Sequence, residues 1–181
     1  MGLLSARAAF LLLLWFCVGA ARAAGGPGEY EVKAVFLFNF SQFVDWPASA
    51  FPDDRSPLVV GVLGQDPFGA ALDEAVRGET VNGRPLSIRR YERIEDVDAC
   101  HILFIERTQQ EQLDQILESL RDRSCLTVSD AEGFAAAGGI IQFVTIDNRI
   151  RLQINLDAAK LANLTISSKL LRPAQIVPTK G

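Results

Sequence analysis

The residues suited to chemistry are few: one histidine, three cysteines, and carboxylates placed just after apolar runs. Cys100 and His101 are adjacent, which suggests a thiolate–imidazole pair. Neighbouring positions of a strand project to opposite faces, however, and no second histidine is at hand to replace His101. Ser167-Ser168-Lys169 suggests a serine–lysine pair, but adjacent helical positions do not face each other. Thr165 or Ser167 reads more simply as a helix cap. Three carboxylates remain: Asp66 in Gly64-Gln65-Asp66-Pro67-Phe68-Gly69, Glu106 before Arg107, and Asp130 in Ser129-Asp130-Ala131-Glu132-Gly133. Each follows a run that reads as a strand, so all three fall at the carboxyl edge of an open sheet, where ligands bind. A ligand crevice built by Asp66, Glu106 and Asp130 is one reading. The other, which the local pattern favours, has Asp66 and Asp130 capping the next helices, with Gly64 and Gly133 serving turns. Asp66 and Glu106 as a glycosidase pair lack aromatic platforms nearby. The glycines do not spell G-x-G-x-x-G, and no P-loop Lys-Ser pair is present. The sequence thus offers no cofactor motif, no metal-ligand set and no assigned catalytic residue, and it does not read as an enzyme.

The elements that position these residues follow from hydrophobic period. Glu31 to Trp46 carries Val32, Val35, Phe36, Phe40, Phe43 and Val44 at helical spacing, which predicts a helix with that stripe toward the core. Leu37 and Phe38 widen the arc, as second-layer core or as partner surface, and Pro47 ends the helix. Strands are predicted over 58–63, 86–91, 101–105, 125–128, 140–145 and 149–155. The last two, joined by Ile146-Asp147-Asn148, pair antiparallel. No lysine sits in that link, which leaves receiver-type phosphotransfer unsupported. Helices are predicted over 68–77, 111–120, 156–162 and 166–171, and the aspartate- and proline-rich 47–57 run reads as a loop. Short alternation of strand and helix predicts an α/β fold: a single three-layer domain, its sheet mostly parallel with an antiparallel edge strand and helices on both faces.

The chain start changes the composition. Arg7, the apolar run from Ala8 to Ala20 and the small-x-small site Ala21-Arg22-Ala23 read as a signal peptide spanning 1–23, cleaved after Ala23. Gly19-Ala20-Ala21 is a second possible site. A membrane anchor is the weaker reading, because the run falls short of the roughly 20 apolar residues that spanning requires. The full chain has 181 residues and a net charge of −4. The chain after Ala23 has 158 residues and a charge of −6, since the leader holds two arginines and no acid. That acidity excludes a typical nucleic-acid binder, and leader removal leaves no span for insertion into the membrane. Residues 24–30 read as a flexible start, 31–173 as the domain and 174–181 as a polar tail.

Cys17 leaves with the leader, so Cys100 and Cys125 alone enter an oxidising compartment. Each stands at the entrance of a strand, one βα unit apart. Entrances of neighbouring strands lie about 5 Å apart, within disulfide range. Closing the loop between them stabilises by about 3 kcal/mol in the chain-entropy picture.

The remaining residues form an ordered set. The run Val32-Lys33-Ala34 through Phe36-Leu37-Phe38-Asn39-Phe40, Phe43-Val44 and Trp46-Pro47 resembles the start of the YfiR-like family of exported bacterial proteins, a domain of unknown function. The likeness continues in 64–69, in Val81-Asn82-Gly83-Arg84-Pro85-Leu86, in 100–105, and in Val128-Ser129-Asp130. It runs through Gly133-Phe134, Gly138-Gly139-Ile140-Ile141, 154–159 and Ser167-Ser168-Lys169-Leu170-Leu171. The resemblance implies a periplasmic α/β regulator, often dimeric, that binds an inner-membrane signalling protein and holds it inactive. The implied partner is a diguanylate cyclase, with a sensor kinase as another candidate, and the implied outcome is control of cyclic-di-GMP and biofilm formation. The family pattern of two intrachain bridges cannot hold here with two cysteines, so pairing of Cys100 with Cys125 or with another chain stays open. Binding by occupancy makes the aromatics of the first helix, Phe38 and Trp46, the contact candidates. The alternative function is a periplasmic small-ligand sensor using the Asp66, Glu106 and Asp130 crevice.

Overall fold

The computed structural model describes residues 28–179. The leader, Cys17 and most of the 24–30 segment lie outside these residues. Three strands are buried along their whole length: β2 (Leu58–Leu63), β5 (Ile102–Ile105) and β6 (Leu126–Ser129). Continuous burial explains why they read as unbroken apolar runs rather than alternating ones: helices or loops cover both faces. They sit at the centre of a mixed sheet ordered β10-β8-β7-β6-β5-β2-β4-β3. Here β3 is Thr80–Val81, β4 Arg84–Tyr91, β7 Ile141–Ile146, β8 Arg149–Ile154 and β10 Gln175–Ile176. The five strands from β4 to β7 run parallel, whereas β8 opposes β7 and β3 opposes β4. The strand order reverses beside β2, which pairs β4 on one side and β5 on the other. The expected single α/β domain, mostly parallel with antiparallel edges and flanked by helices, is the fold observed.

Successive strand residues serve two separate cores, as the pleat requires. Val60, Val62, Ile102, Phe104 and Val128 face Ala34, Leu37 and Phe40 of helix α1 (Glu29–Phe43) and Leu72 of α2 (Ala70–Val76). Leu63, Leu103 and Ile105 face Leu113, Ile116 and Leu120, contributed by α3 (Leu113–Ser119) and the residue after it, together with Phe134. Gly61 in β2 is a space requirement. A Cβ there would lie 2.7 Å from Cys100 Sγ and 2.9 Å from both Leu103 Cδ1 and Tyr91 Cε2.

The first helix differs from its sequence reading in both length and facing. It stops at Phe43, before Pro47, because Val44–Asp45 leave as strand β1 and pair with β9 (Thr165–Ile166). The expected 166–171 helix is accordingly shortened to α5 (Ser168–Leu171), capped by the Ser167 hydroxyl. Part of the expected polar tail is β10, an edge strand parallel to β8. Between them lies α4 (Leu156–Leu161), capped by Asn155. On α1 the buried set is Lys33, Ala34, Leu37, Phe40 and Ser41, while Val35 is 51% exposed. The expected stripe was therefore turned the wrong way at Val35. The helix is apolar on nearly all sides, so period alone does not select the face.

His101 locks the 47–57 loop onto the sheet. The Val59 N–H donates to its Nδ1 at 3.0 Å, so the proton lies on Nε2, which faces the Ala50 carbonyl at 3.1 Å. Phe51 stacks on the ring at 4.3 Å, and the Arg84 guanidinium lies 3.9 Å above Phe51. Burial holds the imidazole below its ordinary 6.5, with Arg84 adding to the depression and the Ala50 carbonyl opposing it. The unfolded chain then binds the extra proton, so this contribution to stability is complete above pH 6.5 and is lost as pH falls below it. Urea midpoints measured from about pH 7 down to about pH 5 should fall, and His101→Gln should flatten that slope while lowering the midpoint throughout.

Candidate functional site

The three carboxylates of the sheet edge have separate partners. Asp66 Oδ1 accepts from the Phe68 and Gly69 amides at 2.8 and 3.3 Å, while its Oδ2 accepts from Arg90 Nε at 2.7 Å. Arg90 also reaches Asp73 at 2.6 Å, tying β4 to α2. Glu106 takes the Thr108 amide at 2.8 Å and the Thr108 hydroxyl, capping the 3-10 turn Arg107–Gln112. Asp130 turns instead to α1.

The Asp130 cluster is the main electrostatic centre at this edge. Asp130 Oδ2 accepts from Lys33 Nζ at 2.6 Å, Tyr30 Oη at 2.8 Å and Arg107 Nη2 at 2.9 Å. Lys33 also meets Glu29 at 2.6 Å, one helical turn earlier. The side chains of Lys33 and Asp130 are 1% and 4% exposed, whereas those of Arg107 and Glu29 are 56% and 46% exposed. Burial alone would raise the Asp130 carboxyl, but the bonds from Lys33, Arg107 and Tyr30 outweigh it and hold the group below its ordinary range. Burial, then Asp130, pushes the Tyr30 hydroxyl up to about 12. The tyrosine therefore remains a donor throughout the neutral range.

Local sequence explains how this cluster is assembled. Phe68 of the 64–69 turn packs edge-on against Tyr30 at 5.5 Å and Phe104 at 4.8 Å, linking the first turn of α1 to β5. Ser129 accepts from the Ala131 amide and donates to the Ile105 carbonyl, which fixes the backbone on either side of Asp130. Gln142 accepts from the Ala135 amide, Thr127 from the Ile140 amide, and Asn155 donates to the Ala135 carbonyl. The Phe134 ring fills the space a side chain at Gly139 would need. Sequence reading singled out Asp130 but missed Lys33, Tyr30 and Arg107. The available signal was a lysine inside an apolar helix with Glu29 four residues before it.

The other sequence candidates lie elsewhere. Phe38 is half-buried on α1 and belongs to neither core cluster. Trp46 is packed against the core, and its indole donates to the His101 carbonyl at 3.2 Å. Cys100 and Cys125 are free thiols. The neighbouring Cys100 thiol, together with burial, pushes the Cys125 thiol well up. His101 points into the 47–57 loop while Cys100 packs with the α3 core, so the two side chains do not meet as a dyad. Among the described residues no group of three or more His, Cys, Asp or Glu side chains is placed to hold a metal ion. No described helix is long and apolar enough to cross a membrane.

The Lys33–Asp130 pair seats α1 at the cost of burying two charges, so loss of Lys33 leaves the buried carboxylate with only the half-exposed Arg107 as a cation. Lys33→Met should lower unfolding stability by about 3 kcal/mol in urea titration. Adding Asp130→Asn should cost less than the sum of the single changes. A cost below about 1 kcal/mol would match a surface pair and refute this role for Lys33.

No curated protein sequence matches the chain. A family match does exist, to the family described as DUF4154: YfiR/HmsC-like, over residues 30–175. That span runs from Tyr30 in the first turn of α1 to β10, and so contains both cores and the Asp130 cluster. The chain belongs to the YfiR/HmsC-like family.

Proposed function

We propose that this protein is a periplasmic regulatory binding protein that represses an inner-membrane signalling protein, a diguanylate cyclase first, by occupying its periplasmic part. Family membership supports a regulator acting on a membrane-signalling partner. The observation that carries a contact surface is on α1: Val35 is 51% exposed, and Phe38, one turn later, lies outside both cores. Such an apolar pair on an otherwise docked helix is suited to a hot spot. Trp46, just past β1, contributes what its half-buried ring leaves accessible.

Capture of membrane proteins on the immobilised mature protein tests this. A cyclase should be recovered, and Phe38→Asp should abolish recovery with an unchanged unfolding midpoint. Deletion of the gene should raise cyclic-di-GMP. Recovery of no membrane protein, with unchanged cyclic-di-GMP, would overturn the repressor reading.

We infer that Cys100 and Cys125, free thiols in the structure, are oxidised on export by the compartment's thiol oxidant to an intrachain disulfide, an inference supported by their proximity at the entrances of paired strands β5 and β6. Iodoacetamide should label both only after reduction and unfolding. Cys125→Ser should cost about 3 kcal/mol under oxidising conditions. Dimers linked through Cys100 on a non-reducing gel would refute the intrachain bond.

A second reading, a sensor of a small ligand, rests on one observation. Asp130 lines a cavity of about 440 Å³, and its Oδ1 is buried without a hydrogen-bond partner among the described residues.

A further inference from the structure

Asp130 is used unevenly. Its Oδ2 accepts three hydrogen bonds, from Tyr30, Lys33 and Arg107, whereas Oδ1 accepts none and is buried. A buried carboxylate oxygen without a donor is unfavourable, so its natural complement is an N–H or O–H group. The side chain is 4% exposed and borders a cavity of about 440 Å³. Phe143 and Val144 border that cavity from opposite faces of β7, the phenyl ring being almost wholly buried, and Gln142, Thr145 and Arg107 supply its polar groups.

Charge decides which donor fits. Glu29 pairs with Lys33, and Asp130 pairs with both Lys33 and Arg107, so these four groups sum to zero, while Glu132, the fifth charged group of the lining, makes no ion pair among the described residues. Two cations already sit on Asp130. A ligand ammonium at Oδ1 would be the third, repelled by both across a short distance. A neutral N–H incurs no such repulsion. Arg107 then supplies the second half of the recognition. Its Nη2 is engaged by Asp130 and Tyr30, while its Nε and Nη1 groups make no hydrogen bond among the described residues. The half-exposed guanidinium can therefore donate to a ligand carbonyl.

We propose that this cavity binds an amide group, its N–H donating to Asp130 Oδ1, its C=O accepting from Arg107, and its alkyl part lying against Val144. The proposal rests on the ligand-sensing reading and adds the chemistry of the ligand. The amide belongs either to a free carboxamide or to a peptide, and the two sources are separable by probe.

The purified protein, labelled with ¹⁵N, would be titrated with acetamide, with N-acetylglycine N-methylamide, and with methylammonium and acetate as charged comparators. Saturable shifts of the Gln142, Val144 and Thr145 amides with at least one amide probe, and with neither ion, are expected. Tighter binding of acetamide assigns a free or side-chain carboxamide, and tighter binding of the blocked glycine assigns a peptide backbone. Asp130→Ala should weaken the amide probe by about tenfold or more. In case that variant fails to fold, Val144→Trp, at a lining position that is not itself in the ion cluster, should abolish the same shifts. Methylammonium or acetate binding as well as the amides would overturn the amide assignment and leave ligand sensing standing. If no probe moves the cavity signals, both fall.

Discussion

The seating of the first helix depends on one buried ion pair. Lys33 and Asp130 are drawn out of water together, and neither is tolerable there alone. Their contact fixes which side of a nearly all-apolar helix meets the sheet, because only one rotation brings the lysine to the end of β6. With that rotation set, Ala34, Leu37 and Phe40 enter the core while Val35 is turned outward. The contact stripe proposed for a partner is therefore a consequence of an electrostatic constraint, and hydrophobicity alone would have placed it differently.

The same constraint shapes the sheet edge. Asp130 holds Tyr30 and Arg107 as well as Lys33, so α1, β6 and the turn after β5 meet at one carboxylate oxygen. Behind it, Thr127, Ser129, Gln142 and Asn155 satisfy backbone groups of the 131–140 connection, which would otherwise be buried without partners. The far side of the sheet is organised around smaller contacts, with Gly61 leaving room for Cys100 beside Cys125. Glu106 keeps its bonds within the turn that follows its strand, and Asp66 joins its own turn to Arg90 of β4, so the ion cluster that reaches α1 is built on Asp130 alone.

Much of the fold was legible because its signals are local. The 58–63 strand matches its apolar run to the residue, and the β7–β8 hairpin follows from two β-rich runs around Ile146-Asp147-Asn148. Asp66 was expected to cap the next helix; it instead holds the Phe68 and Gly69 amides in the turn before α2, whose N-cap is Gly69. Errors arose where a distant segment competed. Val44–Asp45 left the helix because Thr165–Ile166 offered strand pairing, and residues 175–176 became β10 because β8 presented an open edge. Lys33 was missed because a lysine in an apolar helix reads as a solvated break in the pattern.

By itself the sequence determined the order and kind of most elements, the α/β class, the resemblance to an exported regulatory family and the pool of residues available for a site. These rest on period, turn chemistry and ordered motifs, which act over a few residues. Only the tertiary structure decided how the first helix is rotated, which carboxylate is buried among cations, and which of its two oxygens is left without a donor. Those outcomes depend on side chains separated by about a hundred positions, as Tyr30 and Lys33 are from Asp130, being forced to share one desolvated volume.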